Sequence, residues 1–344
     1  RSTGQHPGGI VVLPHGHSIN EFTPVQHPAN DMECGITTTH FDYHSIDHNL
    51  LKLDILGHDD PTMIRTLEDY ITSDAMENEY NEEHPFVATE IPLDDKKVIE
   101  LFHGTEILGI KPEDIDGCKL GCLGIPEFGT DFVIQMVQDT KPQTLSDLIR
   151  ISGLSHGTNV WLGNAQELVK SGKATISTAI CTRDDIMIYL INKGVESALA
   201  FTIMESVREE AMKAQDVPDW YIWSCKKISY MFPKAHAAAY VMMAYRIAYC
   251  KINYPLAYYG AYFGIRADAF SYAIMCQGKD KLNYYMKDYK KRSDTLTKKE
   301  QDVMKDMKIV QEMYARGLEF MPIDIYRAKA KMFQIIDGKL MPSL

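Results

Sequence analysis

Residues 50–61, Leu-Leu-Lys-Leu-Asp-Ile-Leu-Gly-His-Asp-Asp-Pro, predict a strand that ends in glycine and is followed at once by a helix. Alternation with a period of two places Lys52 and Asp54 on one face of the strand and Leu51, Leu53 and Ile55 on the other. Asp60-Pro61 forms a favourable cap and first-turn pair for the helix. This stretch therefore predicts an α/β beginning, with a carboxylate held rigidly at the rim of a sheet.

The rest of the chain extends this beginning into a mixed α+β fold. Short runs rich in β-branched residues predict strands at 9–13 and 36–43, besides the strand at 49–56. From about residue 95, apolar side chains recur at spacings of three and four, which predicts helices near residues 94–103, 126–138, 144–151, 161–171, 183–193, 197–215, 233–252, 256–266 and 297–316. Extended stretches return at 318–321 and 332–336, before a turn at Asp337-Gly338.

Composition narrows the class of protein. The 344 residues are 45% apolar and 24% charged, which suits two or three globular domains rather than a disordered chain. Seven cysteines, without a secretory leader, indicate reduced thiols and a cytosolic location. No uncharged apolar run is long enough to span a membrane. Because the sequence opens at Arg1, in a loop that enters a strand, we expect a fragment whose first domain is incomplete.

Charge is distributed unevenly along the chain. The formal net charge is -11, which on its own argues against a nucleic-acid partner. Residues 68–95 carry ten carboxylates and no Lys or Arg, so we expect a solvated surface segment there. Residues 220–292 carry twelve basic and three acidic side chains, a charge of +9, interleaved with aromatic rings, twelve of them within residues 221–263. That window is typical of a nucleic-acid or nucleotide surface, although the rings could equally be helix core.

Several residues could carry chemistry in the first 60 positions. Asp54 could hold a metal ion in a phosphoryl-transfer site, where two Mg²⁺ ions lie roughly 3.5–4 Å apart, and Lys52 could pair with it or reach a primer phosphate. The alternative is an ordinary edge-strand ion pair. Asp42 could face the same way if its strand pairs with that of Asp54. Eight histidines, among them His40, His44 and His48, suggest zinc, but no complete ligand spacing is present.

Two further segments suit the binding of phosphate groups. Residues 4–9, Gly-Gln-His-Pro-Gly-Gly, precede a strand and could offer bare N–H groups. In Lys226–Tyr240, a proline is followed by Lys234 and His236 among four alanines, so a helix N-terminus with space for a ligand is flanked by cations. Arg183 opens another helix, and Arg246 lies ten residues beyond His236. Tight helix packing on small residues explains the alanines but not the clustered cations.

Together these motifs resemble the alpha subunit of bacterial DNA polymerase III, the C-family replicative polymerases, and specifically its PolC type. The resembling stretches cover essentially the whole chain and include residues 4–12, 38–61, 121–129, 152–165, 181–189 and 226–240. The resemblance implies a Pol β-like nucleotidyltransferase palm over residues 1–95, helical fingers over 96–316, and the start of a duplex-binding module at 317–344. It also implies template-directed DNA synthesis, in which a primer 3′-hydroxyl attacks the α-phosphate of a dNTP.

The resemblance assigns roles to individual positions. Asp54 matches the third palm aspartate and, with Lys52, is expected in catalysis with two Mg²⁺ ions. The family's other two aspartates lie in an upstream motif that this sequence lacks. We therefore expect the fragment alone to be inactive. Residues expected at the incoming nucleotide are His6, Gly8, Gly9, Arg183, Lys234, His236 and Arg246, and those expected at DNA are Lys226 and Lys227. Implied partners are primer-template DNA, dNTPs, a sliding clamp and clamp-loader subunits, at the replisome of a bacterial cytoplasm.

One departure and two alternatives accompany this assignment. After Arg208 the family usually continues with a longer Lys/Gly-rich segment, whereas Glu209–Asp216 connects directly to Val217 here, so a nucleic-acid contact made by that segment is in doubt. The first alternative is a non-catalytic nucleic-acid-binding module that uses residues 220–292. The second is a histidine-rich metallohydrolase centred on residues 6–58.

Overall fold

A computed structural model describes residues 6, 8–28, 31–55, 57–206 and 212–344, except for the side chains of His44, Asp54 and Ser206. The chain divides into two compact units, Arg1–Asp59 (unit 1) and Asp60–Leu344 (unit 2). The described residues are mainly helical, with three two-stranded antiparallel sheets. None of their helices is long and apolar enough to cross a bilayer.

Unit 1 is built on two small sheets. Strands β1 (Gly9–Val12) and β4 (Leu51–Asp54) pair in antiparallel register, with Ile10 opposite Leu53 and Val12 opposite Leu51. Strands β2 (Val25–Gln26) and β3 (Thr38–Thr39) form the second sheet. The strand predicted at residues 49–56 is confirmed over Leu51–Asp54, and Leu51 (62%) and Leu53 (44%) are exposed. Leu56 and the side chain of Asp54 lie outside the described residues.

Unit 2 begins with the helix that follows this strand and contains most of the helical residues. Its described α-helices are α1 (Asp59–Thr72), α2 (Lys96–Glu100), α3 (Asp131–Thr140), α4 (Leu145–His156), α5 (Gln166–Lys170), α6 (Arg183–Asn192), α7 (Ser197–Ser206), α8 (Asp219–Lys227), α9 (Lys234–Asn253), α10 (Pro255–Ile265), α11 (Tyr272–Met275), α12 (Lys279–Lys291) and α13 (Lys298–Ala315). Side-chain caps define several N-termini: Thr144 accepts from the N–H of Asp147, and Thr297 accepts from that of Glu300.

Two cores hold unit 2 together. In the larger, α9 packs on α4 and α10, and the rings of Tyr245, Tyr258 and Tyr259 are fully buried. In the smaller, apolar side chains of α6, α7 and α8 pack together around Leu190 and Ile222. Burial of this apolar surface is the main favourable contribution to folding.

An ion pair lies inside the larger core. The Lys251 Nζ is 2.7 Å from the Glu312 Oε1, and neither side chain is exposed to solvent. The same ammonium donates to the carbonyl oxygens of Gly121 (2.7 Å) and Leu123 (2.6 Å), and the Tyr259 hydroxyl donates to Glu312 (2.6 Å). All three ammonium protons therefore have acceptors, and a glycine-rich loop is fixed to α9.

The end of the chain folds back onto the same core. Strands β5 (Gln334–Ile336) and β6 (Lys339–Met341) form a hairpin through Asp337 and Gly338, both with positive φ, as a two-residue turn of this kind requires. The hairpin packs against α10, and the Tyr70 hydroxyl of α1 donates to the carbonyl oxygen of Phe333 at 2.5 Å. The first helix and the last hairpin of unit 2 are thus joined directly.

The structure confirms most of the predicted elements and corrects others. Residues 36–43 form a strand only at Thr38–Thr39, and the predicted helix at 161–171 is interrupted, since Leu162, Gly163 and Asn164 have non-helical backbone angles. Helices α8, α11 and α12 were not predicted. Part of the predicted helix 197–215 lies outside the described residues. The acidic segment 68–95 is only partly a solvated excursion, because Ile71, Phe86 and Ile91 are buried in the core.

Asp306 on α13 makes the stability of unit 2 depend on pH. Its side chain is 4% exposed, it accepts the N–H of Ala269 at 3.0 Å, and burial raises its pKa from 3.8 to about 6. Because the folded pKa exceeds the unfolded one, the favourable contribution is complete below about pH 4 and is lost as the pH rises through about 6.

Asp306→Asn should therefore raise the free energy of unfolding near pH 7 by up to about 2–3 kcal/mol and leave it nearly unchanged near pH 4. The measurement is thermal or denaturant unfolding across that pH range. Asp302→Asn on the exposed surface of the same helix is the matched control and should not stabilise the protein at neutral pH. Equal effects of Asp306→Asn at both pH values would contradict the prediction.

Candidate nucleotide and nucleic-acid site

In unit 1, Gly8 and Gly9, which end the segment 4–9, lie beside strand β4. Gly4, Gln5 and Pro7 of that segment lie outside the described residues. Gly9 lies directly opposite Asp54, and Val11 lies opposite Lys52, while the N–H of Ile55 donates to the carbonyl oxygen of Gly8 at 2.6 Å. The backbone of Asp54 is thus held beside the glycines, although its side chain lies outside the described residues. Two segments that are far apart in sequence therefore form one edge.

Gly8 and Gly9 lie against the side chain of His6. The N–H of Gly8 donates to the His6 Nδ1 at 3.1 Å, and a Cβ atom added to Gly9 would lie 2.8 Å from that nitrogen. Gly9 is therefore required sterically as long as His6 keeps this position. In this conformation the N–H of Gly8 is bonded within the loop.

Lys52 packs on an aromatic ring. Its Nζ lies 5.0 Å from the centroid of Tyr43, and the Tyr43 hydroxyl donates to the carbonyl oxygen of Leu50 at 3.0 Å. The side chain of Lys52 is half-buried. The tyrosine thus restrains the lysine through a cation–π contact beside the strand that carries Asp54.

The histidine-rich segment forms no metal site among the residues that the structure describes. Three of its histidines instead form hydrogen bonds with separate partners: His17 with Glu21 (2.8 Å), His27 with the carbonyl oxygen of Ile36 (2.8 Å) and His40 with Gln26 (2.7 Å). The strand before Asp42 pairs with β2 and not with β4, so the condition under which Asp42 would face the same way as Asp54 is not met. His44 lies outside the described side chains.

In unit 2 the N-termini of α6 and α9 are fastened to each other. The Asp184 carboxylate accepts the N–H of Lys234 at 2.7 Å, and the N–H of Arg183 donates to the carbonyl oxygen of Phe232 at 3.3 Å. Arg183, Lys234 and His236 are thereby brought to one place, here named the cationic junction. Two helix N-termini and three basic side chains favour an anion there.

The acidic residues beside the cationic junction have structural partners. The Asp185 Oδ2 accepts the N–H groups of Cys181 (3.0 Å) and Thr182 (2.9 Å), and its Oδ1 lies 3.7 Å from Arg150. Asp184 caps α9, as described above. Arg183 faces Glu205 at 3.4 Å, but both side chains are about half exposed, so water screens this pair.

A row of rings positions His236. The ring of Phe232 lies 4.5 Å from that of His236 and 5.1 Å from that of His156, and Tyr240 lies 4.3 Å from His236 on the other side. His156 in turn is 3.2 Å from Glu127. Sequence reasoning missed Arg150 and His156 on α4 and Glu127 in the loop before α3, because no local pattern marks them.

The remaining predicted cations lie elsewhere. Arg246 is ten residues beyond His236, about 15 Å along α9, so it is separate from the cationic junction. It is half-buried, and its Nε has no hydrogen-bond partner among the described residues.

Lys226 and Lys227 are exposed at the C-terminus of α8, beside a groove of about 320 Å³ that Trp223 and Lys213 also line. The Lys227 Nζ lies 3.7 Å from the centroid of Trp223 and donates to the carbonyl oxygen of Gly163 at 2.5 Å.

The aromatic rings of residues 220–292 serve two different purposes. Six of the twelve rings within residues 221–263 are core side chains, as the alternative interpretation held: Tyr221, Tyr245, Tyr258, Tyr259, Tyr262 and Phe263. Trp223 is 37% exposed and Tyr230 is 54% exposed. Tyr272 (37%) and Tyr284 (70%) are exposed as well, so a nucleic-acid surface in this window would rest on a few rings, of which Trp223 lies beside the lysines of α8.

Comparisons with known proteins match the whole chain. A family model described as the bacterial DNA polymerase III alpha subunit finger domain matches residues 60–227, and one described as the bacterial DNA polymerase III alpha NTPase domain matches residues 1–57. The gap between the two matches coincides with the division between units 1 and 2.

Curated relatives give the same result. A protein of Caldanaerobacter subterraneus named DNA polymerase III PolC-type is 50% identical to this chain over 353 aligned positions, which cover 100% of the chain. Proteins of the same name from Streptococcus pyogenes and Streptococcus suis are 51% identical to it over 359 positions, which cover 99% of the chain. The chain spans 24% of the length of each relative. The chain therefore belongs to the alpha-subunit family of bacterial DNA polymerase III and corresponds to a segment of its PolC type.

Proposed function

We propose that this chain is the nucleotide-receiving part of a replicative DNA polymerase. In the complete protein a primer 3′-hydroxyl would attack the α-phosphate of a dNTP, with pyrophosphate as the leaving group. The names of the relatives support polymerase activity, and the cationic junction is the observation in this chain that supports a nucleotide site most directly.

The chemistry of the cationic junction suits a triphosphate. Arg183 and Lys234 begin their helices, so their side-chain charges add to the positive ends of the two helix dipoles. Ala235 and Ala239 are exposed and leave space beside them for a bulky ligand. Fixed positive charge at this point would stabilise the negative charge that develops on the leaving phosphates.

In this proposal Asp54 and Lys52 act in catalysis at the edge of the sheet formed by β1 and β4, here named the catalytic edge. Family membership supports metal-dependent catalysis in general, and in this proposal Asp54 would be one ligand of two Mg²⁺ ions. The described residues contain no group of three potential ligands, so the chain's described part does not form a complete two-ion site. What the described part supplies is a strand that fixes the backbone of Asp54 beside the glycines of residues 8 and 9.

The domain assignment remains part of the proposal. Residues 1–95 would complete a Pol β-like palm, 96–316 would form the fingers and 317–344 would lead to a duplex-binding module. Primer-template DNA and dNTPs would be the substrates, with a sliding clamp and clamp-loader subunits as partners at the replisome. Lys226 and Lys227 would contact DNA phosphates beside Trp223.

Arg183→Ala and His236→Ala in the complete polymerase should raise the KM for dNTPs by about 10- to 100-fold, because each removes a charged or polar contact to the triphosphate. The affinity for primer-template DNA should change little. Steady-state incorporation of a single nucleotide, with DNA binding measured separately, tests this.

Lys193→Ala, just after the C-terminus of the same helix as Arg183, is the matched control and should keep the normal KM. An unchanged dNTP dependence in both site variants would contradict the nucleotide assignment of the cationic junction.

The groove beside Trp223 favours a second candidate, a non-catalytic nucleic-acid-binding module. Such a module predicts binding with a steep dependence on salt and no requirement for metal ions. Primer extension with dNTPs and Mg²⁺ separates the two candidates, because only the polymerase would lengthen the primer.

A further inference from the structure

A cavity in unit 2 lies outside every position assigned above to nucleotide or DNA. It has a volume of about 620 Å³ and is enclosed by the loop before α3, the first turn of α3, the C-terminus of α4, and parts of α10 and α13. We name it the loop pocket. Its size is within the range of small-molecule and nucleotide sites.

The lining of the loop pocket combines apolar, polar and basic groups. Ile125, Tyr262 and Ile309 contribute apolar surface, and Phe132 lies at the pocket with 44% of its surface exposed. Glu127 and Ser155 offer oxygen atoms, while Lys305 and Lys308 lie on one side. An exposed aromatic ring beside lysines is the arrangement that binds an unpaired base and its phosphate.

The charges in the loop pocket are largely balanced. Glu127 faces His156 (3.2 Å), Asp131 faces Lys308 (3.7 Å) and Arg266 is paired with Asp60 (2.8 Å). Such a lining fits a neutral base rather than a polyphosphate. Lys305 has 67% of its side chain exposed, and its pair with Asp302 on the helix surface is weak, so it can turn towards one phosphate.

The wall of the loop pocket is fixed in advance. The buried Lys251 ammonium holds the carbonyl oxygens of Gly121 and Leu123, and the Tyr258 hydroxyl also donates to Leu123 at 3.2 Å. A Cβ atom on Gly124 would lie 2.5 Å from that hydroxyl. A wall with so little freedom would not have to be ordered on binding, which favours affinity.

The loop pocket borders the cationic junction. His156 lines the pocket, its ring lies 5.1 Å from that of Phe232, and Phe232 lies 4.5 Å from His236. The rings of His156 and Phe232 therefore connect the wall of the pocket to His236 at the cationic junction.

We propose that the loop pocket receives an unpaired nucleobase of the single-stranded template, next to the position being copied. The base would stack on Phe132, and Lys305 would contact its phosphate. This inference rests on the proposed polymerase function, and it adds a binding site for the template strand that the nucleotide site does not require.

The test uses the full-length polymerase and three primer-template duplexes. In the first, the template ends at the base to be copied; in the second, it continues for several nucleotides; in the third, the first of those nucleotides is abasic. DNA affinity is measured by fluorescence anisotropy, and primer extension is followed in parallel. The wild-type protein should bind the intact overhang about tenfold more tightly than the abasic one.

Phe132→Ala should bring this ratio close to one while leaving the affinity for the first duplex unchanged. Phe201→Ala, which removes a similarly exposed ring on α7, is the matched control and should keep the wild-type ratio. Lys305→Ala should weaken binding of both overhangs but not of the first duplex. If the Phe132→Ala protein keeps the affinity ratio of the wild type, the inference is overturned, even if that protein extends primers normally. If the wild-type protein extends no primers, the proposed function is overturned and this inference with it.

Discussion

Lys251→Met should lower the free energy of unfolding by about 3–5 kcal/mol, because it leaves the Glu312 carboxylate buried without its counter-ion. The carbonyl oxygen of Gly121 would also lose its ammonium donor, and that of Leu123 would keep only the bond from Tyr258. Thermal or denaturant unfolding measures the loss. We expect a clear fall in Tm, since few single substitutions cost this much.

Two further variants show that the effect comes from the unpaired charge. Lys298→Met removes a lysine from an exposed pair with Asp302 and should change stability by less than about 1 kcal/mol. The double variant Lys251→Met/Glu312→Leu removes both buried charges and should recover a large part of the loss. If the double variant were less stable than Lys251→Met alone, the attribution to an uncompensated carboxylate would be wrong.

Asp54→Asn in the complete polymerase should reduce nucleotide incorporation to about one thousandth or less of the wild-type rate while primer-template binding stays nearly normal. The side chains are nearly isosteric, but the amide lacks the negative charge that a metal-binding role requires. Single-turnover incorporation at saturating dNTP separates this effect from binding, and anisotropy gives the DNA affinity.

The control for Asp54→Asn is an acidic residue of the same unit. Asp31 is exposed, and its carboxylate bonds only the N–H of Glu33 among the described contacts, so Asp31→Asn should leave incorporation unchanged. Turnover close to the wild-type rate in Asp54→Asn would remove Asp54 from the catalytic edge. Loss of DNA binding together with turnover would instead point to a role in folding.

Local patterns in the sequence predicted much of the fold. The strand at 51–54, the helix after it and α9 follow from apolar periodicity together with a glycine or proline at the boundary. Helix α12 escaped prediction because its residues are mostly charged or aromatic, with only Leu282 and Met286 buried. The interruption at Leu162–Asn164 cannot be predicted from spacing either, since it depends on backbone angles set by packing.

The sequence predicted individual residues of the candidate site but not which of them lie together. Arg183, Lys234 and His236 were identified as cations at helix starts, but the bond from Lys234 to Asp184 links residues fifty positions apart. Periodicity contains no information on such a pairing. The same holds for Gly9 opposite Asp54, and for Arg150 and His156, whose roles depend entirely on which helices become neighbours.

The bond between Tyr70 and Phe333 has a mechanical meaning for unit 2. It ties the helix through which the chain enters this unit to the hairpin near its last residues, and Gly260 of α10 leaves only 3.3 Å between an added Cβ and both Tyr70 and Leu340. Helix α1 and the hairpin are therefore held against the same helix, α10. A displacement of either one would be passed directly to α10 and the larger core.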